Sequence, residues 1–261
     1  MITSYHRPKT LEESLKLLGE PALNPRVLMG GAFQGKIEDE NVSFIDLQAL
    51  GLEGITRSDR YFHVGGMATL QMVADFEGIN PALSKAIHLE VGRNVRNSMT
   101  MAGHLTFCDG RSPLTTALLA LDTTLIWQPN KVHITLGDFL PVRQTQTPGF
   151  FVSSLVWSSN VRLAYETIAR TPVDRPIVSA ALAQWPSGRT RLALGGYGDA
   201  PIIAFDGPEP GGLELAARDA FSEAEDEWAS AHYRREMAGI LSLRCLNQVK
   251  AAAILDGEEL S

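Results

Sequence analysis

The apolar run "VLM", residues 27–29, ends directly in a glycine pair, Gly30–Gly31, with a further glycine at Gly35 and a lysine at Lys36. A run this short and this apolar that stops at glycine reads as a buried strand delivering the chain into a tight turn. Glycines at such a turn also let the backbone approach an anion closely and aim successive N–H groups into one concavity. A plain turn between strands satisfies the same pattern, so the neighbouring segments decide what the turn serves.

Thr10 stands three residues before Glu13, a capping-box spacing, and Leu11, Leu15 and Leu18 share one helical face before Gly19. "VSFIDL" and "YFHVGG" read as strands, Thr69 as the cap of "LQMVADFE", and Pro81 as the first turn of a helix over "NPALSKAIHLE". Residues 91–111 show neither periodicity, and a structureless stretch of that length inside a compact domain points to function or disorder. Ser112 and Pro113 then open a buried helix, followed by strand-like "TTLIW", "KVHITL" and "GFFVSSLVWS". Beyond Asn160, "PIVSAALAQW" and "TRLALGGY" flank "PSG" as an antiparallel hairpin, "APIIAF" adds a third strand, and the remainder is helical. A mixed block followed by strands and then helices predicts an α+β protein of two domains.

Composition removes several function classes. The 23 Lys and Arg against 30 Asp and Glu leave a net charge of −7 with no basic tract, which argues against nucleic acid. The opening "MITSYHRPKT" has no signal-peptide core and no apolar run approaches the roughly 20 residues that span a bilayer, so a cytoplasmic protein without membrane insertion is expected. Cys108 and Cys245, far apart, cannot form a disulfide framework, a four-cysteine zinc site or an iron–sulfur cluster. Gly30 to Lys36 matches G-x-x-x-x-G-K, but Ile37 stands where a triphosphatase needs a magnesium-binding hydroxyl. "GGYGDA" (195–200) lacks the dinucleotide spacing and is expected to be a turn. The six histidines are scattered, no G-x-S-x-G elbow occurs, and the cysteines read as packed thiols. Arg234, Arg235 and Arg244 on the last helix are expected to form a solvated basic face, with a subunit contact as the alternative.

Five segments, "VLMGGAFQGK", "VGGMATLQMVA", "VGRNVRNSMTMAGHLTFCDGRSPLTTALLALDTTL", "LALGGYGDAPIIA" and "AHYRREMAGILSLRCLNQV", resemble in sequence and order the flavin-binding medium subunits of molybdenum hydroxylases. The family contains carbon monoxide dehydrogenases, xanthine dehydrogenases and aldehyde oxidoreductases. The resemblance implies a two-part FAD-binding domain of the vanillyl-alcohol-oxidase type over residues 1–160 (parts 1–54 and 55–160), and over 161–261 a small C-terminal domain with a three-stranded antiparallel sheet and helices. It further implies an oxidoreductase subunit carrying electrons from two [2Fe–2S] clusters on a small partner subunit, beside a large molybdopterin-binding subunit, through FAD to NAD, a quinone or dioxygen.

By the same resemblance, the backbone amides of two turns would hold the FAD diphosphate. The first comprises Met29, Gly30, Gly31, Ala32, Phe33 and Gln34, where Ala32, Phe33 and Gln34 replace the family's usual residues. The second comprises Thr100, Ala102, Gly103 and His104, with Ala102 in place of a glycine and His104 in place of an asparagine. Asp109 matches the first of two family aspartates, and the second is missing. These departures leave a flavin-free assembly subunit as the alternative. No catalytic residue and no metal ligand is expected on this chain.

Overall fold

The computed structural model describes residues 2–30, 32–33, 41–145 and 151–255. The first elements are β1 (Ile2–His6), α1 (Leu11–Leu18), β2 (Pro25–Met29), β3 (Ala32–Phe33) and β4 (Val42–Asp46). There follow β5 (Ile55–Arg57), β6 (Tyr61–Gly65), α2 (Leu70–Ala74), α3 (Pro81–Glu90), α4 (Arg93–Arg96), α5 (Met101–Phe107) and α6 (Pro113–Ala120). Next come β7 (Thr124–Gln128), β8 (Val132–Thr135), α7 (Leu136–Phe139), β9 (Phe151–Ser158) and β10 (Arg162–Ile168). The last are β11 (Val178–Gln184), β12 (Thr190–Gly195), β13 (Ile202–Gly207), α8 (Leu213–Ala220) and α9 (Ala231–Leu255). They gather into two compact units, one of residues 1–76, 93–107 and 124–157, the other of residues 77–92, 108–123 and 158–261.

The first unit holds two sheets. One has the strand order β1-β4-β2-β3, with β1, β4 and β2 mutually parallel and β3 folded back antiparallel onto β2. Its connecting helix α1 starts as the capping spacing predicts: the Thr10 hydroxyl accepts from the Glu13 amide at 3.1 Å and the Glu13 carboxylate accepts from the Lys9 amide at 2.9 Å. Along β2 the buried positions alternate, with Val27 and Met29 in the core, so the chain arrives at Gly30 with a fixed facing. The other sheet has the order β5-β6-β9-β7-β8. Phe62 of β6 stacks on Trp157 of β9 with ring centroids 5.6 Å apart, an aromatic contact between neighbouring strands.

The stretch 91–111 is not structureless. It contains α4 and α5, each at most two turns long, which is too short to show a helical repeat in the sequence.

The second unit is built on the antiparallel order β10-β11-β12-β13. The hairpin expected around "PSG" is present as β11 and β12, with Gly188 at φ +88° in the turn, and β13 follows as the next strand. The sheet has one strand more than the three expected, because "RLAYETI" forms β10 against β11. Strand β11 is buried on both faces. Val178, Ala180 and Leu182 pack with Leu213, Ala217, Leu241 and Cys245 of α8 and α9. On the side of Ser179, Gly195 lies so close to Thr116 of α6 that an added Cβ would sit 2.3 Å from the Thr116 hydroxyl. Helices on both sides explain why β11 reads as small and apolar rather than alternating.

Arg234 departs from the expected solvated face. It is fully buried, while Arg235 and Arg244 are exposed. Its guanidinium donates to the carbonyls of Ile177, Ala224, Ala229 and Gly196 and to the Asp226 carboxylate at 2.7 Å, and it lies 5.0 Å from the centre of the Tyr197 ring. Only a planar fork with five donors meets so many acceptors at once, which is why burial is tolerated. Replacing it by methionine would strand those acceptors; Arg234→Met is expected to lower stability by about 3–5 kcal/mol, measured as a drop in the urea midpoint.

Candidate cofactor site

In the first unit, β2 and β3 form a hairpin with Leu28 opposite Phe33 and Met29 opposite Ala32, and Gly30 opens the turn that joins them. The turn lies at the carboxyl end of a strand in the parallel part of its sheet, the edge where open parallel sheets place ligands. Gly30 has φ +60°, a left-handed conformation that favours glycine. It also has no room for a side chain: a Cβ would lie 2.4 Å from Thr100 Cγ2 and 2.5 Å from the Ser98 carbonyl oxygen. Gly31 and Gln34 fall outside the described residues, and of Ala32 and Phe33 only the backbone is described.

The second turn therefore meets the first directly. Thr100 donates from its hydroxyl to the Met29 carbonyl at 3.3 Å, and the same oxygen accepts from the Gly103 amide at 3.1 Å. Thr100 also forms a bridge with Thr69. Ala102, Gly103 and His104 are not in a loop; they belong to α5, and Thr100, Ala102 and His104 are each no more than 4% exposed.

The amides at the start of α5 all donate within the protein. Met101 donates to the Ala68 carbonyl and Ala102 to the Gly66 carbonyl, both at 2.9 Å, Gly103 to the Thr100 hydroxyl, and His104 to the Thr100 carbonyl at 2.8 Å. The first N–H groups of a helix ordinarily lack partners, and here the turn after β6 supplies them. That turn is held by Gly65 and Gly66, at which a Cβ would come within 2.0 Å of the Leu52 oxygen and 2.2 Å of the Val152 oxygen. Sequence reasoning gave these two glycines no role. Their signal was the pair itself, at the end of a strand. Arg143, also passed over, is buried beside Met29, Thr106 and Trp127 around a cavity of about 10 Å³, the size of one water, and donates to the Leu140 carbonyl.

Asp109 belongs to the other unit. Arg175 grips its carboxylate through both guanidinium nitrogens, and the Arg111 amide donates to it at 2.9 Å. Next to it, Gly110 exchanges backbone hydrogen bonds with the 195–198 turn, donating to Gly198 and accepting from Gly196, and a Cβ there would lie 1.9 Å from the Tyr197 oxygen. Burial pushes the Asp109 carboxyl up, but the bonds from Arg175 and Arg111 and their charges outweigh it and hold the carboxyl below the usual range. Burial pushes the Cys245 thiol up to about 12, leaving it a packed, protonated group. Among the described residues, no His, Cys, Asp and Glu group could hold a metal, and no helix is long and apolar enough to cross a membrane.

Residues 1–156 match the family model described as the FAD binding domain in molybdopterin dehydrogenase. The chain belongs to this family. FAD is the cofactor of the family's domain, and the family is one of oxidoreductase subunits. No curated protein matches at the sequence level. Solved structures share the fold. A chain of quinoline 2-oxidoreductase from Pseudomonas putida 86 superposes with a TM-score of 0.78 at 20% identity, covering 96% of this chain and 97% of that one. Carbon monoxide dehydrogenase from Hydrogenophaga pseudoflava gives 0.78 at 21% identity over 96% and 98%. The reconstituted enzyme from Oligotropha carboxidovorans gives 0.77 at 20% over 95% and 97%.

Gly30 packed on Ser98 and Thr100 brings the first turn against the segment that precedes α5. Gly30→Ala, which combines a clash with an unfavourable φ, is expected to cost at least about 1–3 kcal/mol, read from urea denaturation. Because the Asp109 carboxyl is depressed in the folded chain, its contribution is present above the ordinary carboxylate value and is lost as pH falls through the depressed one. The decline in urea midpoint on acidification is expected to be shallower in Asp109→Asn than in the natural chain.

Proposed function

We propose that this chain is the FAD-carrying electron-transfer subunit of a molybdenum hydroxylase. It would work beside a small subunit with two [2Fe–2S] clusters and a large molybdopterin-binding subunit. The reading gives residues 1–160 to FAD and residues 161–261 to a C-terminal domain. When bound, FAD exchanges electrons singly or in pairs, the chemistry needed between iron–sulfur clusters and NAD, a quinone or dioxygen. The chain's own residues have binding roles only. The turn at Gly30 lets backbone approach the diphosphate, and Thr100 fixes that turn by holding the Met29 carbonyl. Asp109 serves this unit-to-cofactor chemistry in no direct way on this reading, since Arg175 already occupies its carboxylate. A cytoplasmic location agrees with two buried cysteines that form no disulfide with each other.

The observation that carries the reading is the match of residues 1–156 to the FAD-binding model, within which Gly30 packs on Ser98 and Thr100. The alternative, a flavin-free assembly subunit, draws on the internal bonds of the amides from Met101 to His104. Absorption spectroscopy separates them. Equilibration with FAD is expected to give a one-to-one complex with perturbed bands near about 370 and about 450 nm. A well-folded chain that leaves the flavin spectrum unchanged would point to the assembly role.

A further inference from the structure

We infer that the outward face of α9 pairs with the same face of a second copy of this chain, the two helices running antiparallel about Leu243. The inference concerns the second unit alone and is independent of FAD. One side of α9 is accounted for: Ala238, Leu241, Cys245 and Val249 pack into the core against β11 and α8. The other side is not polar. Tyr233, Ile240 and Leu243 are 37–39% exposed and Ile254 is 59% exposed. Single apolar residues on a surface are ordinary, but these four fall on one stripe. From Tyr233, steps of three and four residues pass through Glu236, Ile240, Leu243, Asn247 and Lys250 to Ile254. That is the spacing with which one helix packs along another, and a helix apolar on both sides ordinarily has both sides covered.

The charges on the stripe say what covers it. Glu236 and Lys250 stand at equal distances before and after Leu243. Reversed about Leu243, the stripe therefore complements itself: the Glu236 carboxylate meets the Lys250 ammonium of the second copy, and Lys250 meets its Glu236. Leu243 packs on Leu243, Ile240 lies between Leu243 and Asn247 of the second copy, and Tyr233 reaches its Ile254. A parallel pair would instead set Glu236 on Glu236 and Lys250 on Lys250, like charges that repel. Glu236 bonds Arg218 of α8 through one carboxylate oxygen, which fixes the group that the second copy's Lys250 meets. Arg244, exposed beside the axis, can lay its stem along the seam and keep its guanidinium in water. Asn247 brings a polar group into the stripe, the kind of residue that sets register at a cost in affinity. One helix against one helix is a small interface, so the dimer forms at micromolar rather than nanomolar concentration.

The test is sedimentation velocity of the purified full chain from about 1 to about 100 μM, with cysteine cross-linking to read the direction of the helices. The inference predicts a concentration-dependent dimer whose dissociation constant rises at least about tenfold in Leu243→Glu. Under mild oxidation Leu243→Cys is expected to form a disulfide between copies. Glu236→Cys alone is not, because antiparallel pairing holds its two copies about 21 Å apart along the helix axis. Mixing Glu236→Cys with Lys250→Cys is expected to restore the cross-link, and the native Cys108 and Cys245 are too buried to compete. A chain that stays monomeric at about 100 μM overturns the inference and leaves the stripe to a different polypeptide. So does a dimer that Leu243→Glu leaves unchanged, or a Glu236→Cys chain that cross-links to its own kind, as parallel helices would. Should Leu243→Glu fail to fold, the cross-linking pattern decides. None of these outcomes touches the FAD-carrier reading.

Discussion

The hydroxyl of Thr100 joins the two turns on which the first unit's site depends. It holds the carbonyl of Met29, the last residue of β2, and it receives the amide of Gly103, the third residue of α5. One oxygen thereby ties the end of a strand to the start of a helix some seventy residues further along the chain. The glycine at position 30 follows from the same contact, because the methyl group of Thr100 occupies the volume its Cβ would need. Gly65 and Gly66 extend the arrangement by letting the turn after β6 run close under Leu52 and Val152, where its carbonyls accept the remaining amides of α5. Five closely packed segments meet here, with Gly30, Gly65 and Gly66 at three of the tightest approaches.

This packing gives the glycines an explanation in which no ligand takes part. Gly30 is needed for φ +60° and for Thr100, and Gly66 for Val152. A glycine turn at a sheet edge is thus weaker evidence for a phosphate site than it looks in a sequence. Membership of the FAD-binding family, resting on residues 1–156, supplies the functional statement that the turn geometry alone does not. The structural likenesses, at 20–21% identity, add the fold over nearly the whole chain.

Much of the fold was legible where the signal is local. The Thr10–Glu13 cap, Pro81 and Pro113 at helix starts, and the hairpin around Gly188 all stand where the residues placed them. Their determinants lie within a few residues of one another. Helices α4 and α5 were illegible because each is too short to repeat a face and because the acceptors that stabilise α5 come from Gly66 and Ala68. Strand β10 was missed because "RLAYETI" is defined by its pairing with β11 rather than by alternation. Arg234 was misjudged for a related reason: its acceptors at Ile177, Gly196, Ala224 and Asp226 are brought together only by the folded second unit. Of the candidate site, the sequence singled out Gly30 and Thr100, which the fold brings into contact, while the direction of each amide is a property of the fold alone.

Amide hydrogen exchange on the full chain, with and without FAD, bears on the Thr100 junction most directly. The amides from Met101 to His104 should be protected before any flavin is added and should change little on its addition, as expected of groups already bonded to Ala68, Gly66 and Thr100. Rapid exchange at these positions in the flavin-free chain, followed by strong protection once FAD is present, would show that they are cofactor ligands and contradict the account.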